Sequence, residues 1–219
     1  MKKIFALFLT VVSLTFCLTG CRMGNNTDTT PSTQPTTQPT LPTPPATTPT
    51  NATDPTGGMH AAKTDSARIL ANIWAAYADD ERFAVYGGAV ENSVADGPGD
   101  LDMMNADELT SRYLLPESHL TLVQEGASLV HLMNNNIFTA AVFKLTDSQR
   151  LNTVAKDLRD NIQQNRWICG QPDKLLIADM GDGQLLMVFA STDAMETFLT
   201  NMGKVYPNVK TLYNENILA

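Results

Sequence analysis

Cysteine is scarce in this chain of 219 residues, which contains only Cys17, Cys21 and Cys169. Cys17 lies within an apolar N-terminal run and Cys21 follows directly after it, so a domain further along the chain would contain Cys169 alone. An internal disulfide needs a pair of cysteines and is therefore excluded for that domain. Cys169 follows Trp167 and Ile168, and this apolar context predicts a small buried side chain rather than a nucleophile.

Positive charge is also in short supply. The chain has 15 Lys and Arg against 23 Asp and Glu, which gives a net charge of −8. Removal of residues 1–20 would take away Lys2 and Lys3 and lower the charge to −10. An acidic protein without a local basic patch is repelled by nucleic acid and by anionic lipid head groups. We therefore expect no nucleic-acid partner.

Short catalytic motifs are missing from the sequence. It has no G-x-S-x-G, S-x-x-K or H-E-x-x-H motif, and the glycines of 181–183 lack the lysine and helix of a phosphate-binding loop. His60, His119 and His131 are too far apart in sequence to suggest zinc. Ser118 adjoins His119, but adjacency does not make a triad. The sequence predicts no enzyme and no cofactor.

The N-terminus has the pattern of an export signal. Met1-Lys2-Lys3 is a short basic start, and residues 4–18 carry no charge and are mainly apolar. This run is shorter than the ~20 residues that span a bilayer. The sequence predicts a secretory signal peptide over residues 1–20, with an uncleaved membrane helix as the alternative.

Leu18-Thr19-Gly20-Cys21 resembles the lipobox of bacterial lipoproteins. The resemblance implies that the Cys21 sulfur receives a diacylglyceryl group with fatty acids such as palmitate, and that the signal peptide is cut just before Cys21. Two acyl chains anchor a protein stably, whereas one binds marginally. Arg22, not Asp, follows the cysteine, so inner-membrane retention is not signalled. We expect a lipid anchor at the extracytoplasmic face of the cell membrane, in a Gram-positive envelope.

Residues 21–58 are predicted to be a disordered tether. Of the 37 residues in 22–58, 13 are Thr and 8 are Pro, and Val, Ile, Phe and Tyr are absent. Such a segment cannot bury enough apolar surface to offset the entropy of ordering. Its Thr-Gln-Pro repeats favour extended, polyproline-like chain. A plain spacer is the main interpretation, and a glycosylated stalk or a Pro-rich ligand are the alternatives.

Residues 59–219 have the length of one ordinary domain. Thr64 or Asp65 is predicted to cap a helix to about residue 78, and Asn105 a short helix to about Leu114. Residues 120–133 and 137–145 form a predicted hairpin, with a bulge near Gly126. A capping box at 146–149 is predicted to start a further helix. A second hairpin is predicted from two strands, 175–180 and 185–190, joined by a turn at 181–183. The last predicted helix starts at Thr192.

A short edge strand over 207–213 is a further possibility that the pattern leaves open. The order α-α-β-β-α-β-β-α predicts an α+β fold, in which an antiparallel sheet of two β-hairpins is covered by amphipathic helices.

Asp96, Asp100 and Asp102 are weak candidates for a metal site. With Asp107 they occupy positions 1, 5, 7 and 12 of a stretch that superficially matches a calcium loop. Leu101 replaces the glycine that such a loop needs at position 6. An EF-hand is therefore excluded, and a solvated turn is favoured over an irregular calcium site.

The segment Ile137–Lys144, the helix after it, and the 181–183 turn with Leu185–Phe189 are similar to a family of Firmicutes lipoproteins named domain of unknown function 4358. The similarity covers about residues 65–200. It departs from the family where Leu114-Leu115-Pro116 replaces a Tyr-Gly-Ile run. The resemblance implies a fold and a location, but no chemistry.

Two functions are compatible with these features. The favoured one is a non-catalytic binding or accessory module of the cell envelope, held to the membrane through Cys21 and meeting an envelope protein or cell-wall partner. The alternative is an extracytoplasmic enzyme with an unrecognised active site. An enzyme should show a pocket with converging ionisable groups of shifted pKa. A binding module should show an exposed apolar patch or an open sheet edge.

Overall fold

The computed structural model describes residues 63–168 and 170–218. The predicted signal peptide, the lipidation site Cys21, the tether, His60 and Cys169 lie outside the described residues.

The described chain forms an open antiparallel sheet with helices on both faces. The strands are β1 (Val85–Gly87), β2 (Val94–Ala95), β3 (Gly99–Asp100), β4 (Val123–His131), β5 (Phe138–Leu145), β6 (Lys174–Asp179), β7 (Gln184–Ala190) and β8 (Lys210–Asn216). The helices are α1 (Asp65–Ala75), α2 (Ala106–Ser111), α3 (Leu151–Gln164) and α4 (Thr192–Val205). The sheet order is β2-β1-β4-β5-β7-β6-β8, and β3 also pairs with β4.

The predicted α+β class is confirmed, and both predicted hairpins, β4–β5 and β6–β7, are present. The predicted element order is incomplete, because the Gly- and Asp-rich stretch before α2 contains three short strands. Strands of two or three residues are too short to show a hydrophobic period. The possible edge strand is β8, which lies three residues further along than expected.

The two faces of the sheet bury separate cores, because successive residues of a strand point to opposite sides. Leu70 of α1 and Phe198 of α4 lie in the core on one face. Leu109 of α2 and Leu158 of α3 lie in the core on the other face. Every residue of β7 is buried, as expected of a central strand with apolar residues on both faces.

Two of the predicted helix caps are confirmed. The side chain of Thr64 accepts a hydrogen bond from the Ala67 N–H, and that of Asn105 accepts one from the Glu108 N–H. The capping box at 146–149 is wrong in detail. Asp147 accepts from the Gln149 N–H and precedes a short 3₁₀ turn, while the Thr146 hydroxyl donates to the Leu122 carbonyl.

Three boundaries also differ from the prediction. α1 ends at Ala75 and α2 at Ser111, three residues short of the predicted ends. A 3₁₀ helix, Glu117–Leu122, replaces the start of the strand predicted from residue 120. The strand irregularity predicted near Gly126 is present in β4, between Val123 and Glu125. None of the helices in the described part of the chain is long and apolar enough to cross a membrane.

Candidate functional site

The three aspartates considered for a metal site have separate roles. Asp100 accepts a hydrogen bond from the Thr64 hydroxyl, and Asp102 accepts one from the Met104 N–H. Asp96 lies in the β2–β3 turn with φ 57°, and its carbonyl accepts from the Trp74 indole. Within residues 63–168 and 170–218, no three His, Cys, Asp or Glu side chains are grouped closely enough to hold a metal ion.

The two described histidines, His119 and His131, have different structural roles. His119 is buried, and its Nε2 lies 2.8 Å from Asp157 Oδ2, while the neighbouring Ser118 is exposed. His131 Nδ1 accepts from the Met133 and Asn134 N–H groups and so shapes the β4–β5 turn. His119 therefore has an orienting carboxylate, but the described contacts do not join it to a nucleophile.

None of the described groups with shifted pKa values lines a cleft given in this section. Burial raises the pKa of Tyr113 to about 12, and its hydroxyl donates to Ser128 Oγ. The Arg159 guanidinium holds the pKa of Glu215 below its ordinary value, on the outer side of α3 and β8. These shifts follow from burial and surface ion pairing, both of which are structural effects.

A cleft of about 410 Å³ lies beyond the C-terminal ends of α2 and α3, next to the β4–β5 turn. We call it the arginine cleft. It is lined by two arginines, three asparagines, a serine and four apolar side chains: Arg112, Arg166, Asn135, Asn136, Asn165, Ser111, Leu114, Trp167, Ile168 and Phe189. No carboxylate lines it. In a chain of net charge −8, this is a local positive surface surrounded by amide donors and acceptors.

Arg112 is fixed by a chain of hydrogen bonds. Its Nη1 donates to Tyr86 Oη at 2.8 Å, and the Tyr86 hydroxyl donates to Asn135 Oδ1 at 3.3 Å. The guanidinium carbon lies 5.7 Å from the centre of the Tyr86 ring. Glu108 Oε1 lies 3.9 Å from Nη1 and partly balances the charge. A guanidinium has five N–H donors, so Arg112 retains donors beyond the one that binds Tyr86.

The opposite wall of the arginine cleft is the segment after α3. Asn136 donates from its side chain to the Ile168 and Gly170 carbonyls and so ties this segment to the β4–β5 turn. The Trp167 and Phe189 rings pack edge to face with centroids 5.0 Å apart. Arg166 is exposed. The described contacts thus place one partly buried arginine and one exposed arginine on the same cleft.

A second cleft of about 380 Å³ adjoins the first, and Arg112 lines both. We call it the apolar cleft. It is lined by Val85, Tyr86, Val90, Ser93, Ala95, Asp96, Arg112 and Leu132. Val90 and Leu132 are 55 % and 54 % exposed.

Exposed apolar residues concentrate in this region. Of the seven large hydrophobic side chains exposed in the described chain, five lie on these clefts or on the turn between them: Val90, Leu132, Met133, Ile137 and Ile168. Such a concentration is typical of an interaction surface.

Two further clefts are balanced in charge. A cleft of about 430 Å³ between the β6–β7 turn and the start of β8 has Asp179 and Lys210 among its lining residues. A smaller one of about 190 Å³ combines Asp65 and Asp182 with Arg68 and Lys144. Neither has the excess of positive charge that distinguishes the arginine cleft.

The sequence does not predict the arginine cleft. Arg112 and Arg166 are 54 positions apart, and their meeting depends on the packing of α2 and α3 on one face of the sheet. The one partial signal is 134–136, where three asparagines predict a turn but not its contacts.

Comparison of the chain with protein-family models, curated proteins and solved structures gives no match. The resemblance to domain of unknown function 4358 therefore stays a prediction.

Proposed function

We propose that this chain is a membrane-anchored, extracytoplasmic lipoprotein, whose domain is a non-catalytic binding module for an anionic ligand of the cell envelope. The observation that carries the binding role is the arginine cleft, where two arginines and no carboxylate line one concave surface of an acidic protein. Arginine is well suited to carboxylate and phosphate groups, because its planar fork of donors matches their oxygen pairs.

The proposed location rests on the sequence alone. The basic start, the uncharged run over 4–18 and the lipobox-like Leu18–Cys21 support export and lipidation at Cys21. The Thr- and Pro-rich residues 22–58 support a spacer between the lipid and the domain. In this proposal the lipid provides the membrane attachment and the arginine cleft provides the envelope contact.

The alternative proposal is an extracytoplasmic enzyme. Its best candidate is the pair of His119 and Asp157, with Nε2 and Oδ2 at 2.8 Å. His119 is only 5 % exposed, whereas the arginine cleft is open to solvent and large enough for a ligand. The geometry therefore favours binding over catalysis.

Photocrosslinking in intact cells tests the proposed function. A photoreactive amino acid replaces Asn165, which lines the arginine cleft, in the full-length chain. Thr200 is the control position, because it is exposed on α4 at the other face of the sheet. We expect a discrete crosslinked product from position 165 and none from position 200. Equal products from both positions would contradict a ligand in this cleft.

A charge-matched pair of variants tests the role of the arginines. Arg166→Ala removes a cation from the arginine cleft. Arg150→Ala removes an exposed cation at the N-terminal end of α3, far along the helix from the cleft. A charge-assisted contact contributes about 1.5–3 kcal/mol, so Arg166→Ala should weaken binding about tenfold or more. Arg150→Ala should leave the crosslink at Asn165 unchanged. A crosslink that survives Arg166→Ala at full yield would overturn the proposed anionic ligand.

A further inference from the structure

The two clefts form one continuous surface. Arg112 lines both of them, and Tyr86 of the apolar cleft donates a hydrogen bond to Asn135 of the arginine cleft. A ligand that touches Arg112 from the arginine cleft therefore lies directly beside the apolar cleft. This continuity restricts the chemistry of a ligand that fills both.

The apolar cleft is suited to an aliphatic side chain. Val85, Val90, Ala95 and Leu132 supply apolar walls, and the volume of about 380 Å³ is in the range of small-ligand sites. Val90 and Leu132 are each more than half exposed, so their apolar surface is available to a partner. Burial of such surface stabilises a complex by roughly 25 cal/mol per Å².

We propose that the two clefts together bind an acidic peptide segment in which an aliphatic side chain lies next to, or one residue from, a pair of carboxylates. The carboxylates bind Arg112 and Arg166, and the aliphatic side chain enters the apolar cleft. One extended residue advances the chain by about 3.3 Å, so neighbouring residues can reach opposite sides of one guanidinium. This inference rests on the proposed function and specifies the class of its ligand.

A peptide satisfies both clefts better than other anionic envelope components. A glycan presents mainly hydroxyl groups, which gain little from contact with the exposed apolar surface of Val90 and Leu132. An anionic bilayer surface extends well beyond the clefts and would repel the rest of this acidic chain, whereas a short peptide meets only the clefts. The charge of the arginine cleft and the aliphatic wall of the apolar cleft are matched together by an acidic, leucine-containing peptide.

Calorimetric titration with three end-capped pentapeptides tests the inference, with the chain from residue 22 to residue 219 as the protein. The sequences are GLDEG, the uncharged GLNQG and the serine analogue GSDEG. We expect GLDEG to bind with a Kd below about 1 mM, GLNQG about tenfold more weakly and GSDEG about fivefold more weakly. Equal binding of GLDEG and GSDEG would overturn the role of the apolar cleft.

Variants in the protein complete the test. Leu132→Asn changes the apolar cleft, and Met104→Asn is its control because Met104 is exposed outside both clefts. Leu132→Asn should weaken GLDEG about fivefold and remove its advantage over GSDEG, since the lost contact is apolar. Met104→Asn should leave the affinity for GLDEG unchanged. Equal effects of the two variants would contradict the proposed position of the leucine.

Two outcomes distinguish a failure of this inference from a failure of the proposed function. If none of the three peptides binds while the crosslink at Asn165 forms and depends on Arg166, the peptide inference is wrong and the anionic ligand belongs to another class. If no arginine-dependent crosslink forms at Asn165, the proposed function itself is wrong.

Discussion

At the scale of single residues, Gly87 and Gly99 bring β1 and β3 into close contact on the same edge of β4. A Cβ at Gly99 would lie 2.6 Å from the Gly87 carbonyl oxygen, and one at Gly87 would lie 2.2 Å from the Ser128 carbonyl oxygen. Both distances are too short for a real side chain. The pair therefore permits the close approach of β1 and β3 on either side of the 90–96 segment, which lines the apolar cleft with Tyr86.

Gly99→Ala should destabilise the domain by about 1–3 kcal/mol, because the backbone of β1 or β3 must move to admit the methyl group. Gly203→Ala is the control, since nothing lies within 4 Å of the added Cβ in α4. A helical glycine is less favourable than alanine, so this control should gain about 0.5–1 kcal/mol. Urea unfolding of both variants measures the difference. A Gly99→Ala domain as stable as the parent would contradict the close approach of β1 and β3.

At the scale of elements, an ion-pair network joins α3 to the edge strand β8. Arg159 Nε and Nη2 donate to the two carboxylate oxygens of Glu215 at 2.5 and 3.2 Å, and Gln163 Nε2 donates to Oε1 at 2.9 Å. Lys156 and Arg159 both bind Asp160 and lower the pKa of its carboxyl below the ordinary value. The network holds the outer edge of the sheet against the helix.

The network predicts a loss of stability in acid. The pKa of Glu215 is lower in the folded domain because Arg159 donates to its carboxylate. Its contribution is therefore fully present above the ordinary glutamate pKa of about 4.3 and is lost as pH falls through the lower folded pKa. Glu215→Gln should remove about 0.5–1 kcal/mol at pH 7, and less at pH 3, because the pair is partly exposed.

Urea unfolding at pH 3 and pH 7 checks this prediction. Glu196→Gln is the matched control, because Glu196 is exposed on α4 and its carboxylate has no hydrogen bond within the described residues. The free energy of unfolding of the control should equal that of the parent at both pH values. A Glu215→Gln variant that loses as much stability between pH 7 and pH 3 as the parent would show that the pair contributes nothing.

Local patterns in the sequence predict the larger elements well. The unbroken apolar runs of β5 and β7, the 181–183 turn and the caps at Thr64 and Asn105 each depend on neighbouring residues. The short strands β1 and β3 pair with β4, which is distant in sequence, and β2 pairs with β1, so none of the three could be predicted from a local pattern. Beyond the end of α2, Leu114 has a φ of 56°, which is uncommon for a residue other than glycine and has no signal in the sequence.

The candidate site could not be predicted for the same reason. Its main residues come from β1, the end of α2, the β4–β5 turn and the segment after α3, and no two of these regions are adjacent in sequence. The sequence shows no basic patch, because Arg112 and Arg166 become neighbours only when α2 and α3 pack on the sheet. Composition alone predicts the acidic surface, and the fold then concentrates two of the few cations in one cleft.

At the scale of the whole molecule, the proposed anchor makes a prediction about location. Cys21→Ser removes the thiol that would carry the lipid, so the variant should leave the membrane fraction and appear in the medium. Cys17→Ser is the matched control, because Cys17 lies in the same segment but outside the lipobox-like sequence. Membrane fractionation and mass spectrometry of the N-terminus measure both. A Cys21→Ser chain that stays in the membrane with its first twenty residues intact would indicate a membrane helix instead.

We propose the arginine cleft as the surface through which this domain binds its envelope ligand. Hydrogen–deuterium exchange of the chain from residue 22 to residue 219, measured with and without isolated envelope material, maps the bound surface without a prior choice of site. We expect slower exchange in 111–114, 132–136 and 165–168, and no change in those segments for Arg166→Ala. Protection confined to other segments, such as the exposed edge of β8 over 210–216, would contradict a ligand in the arginine cleft.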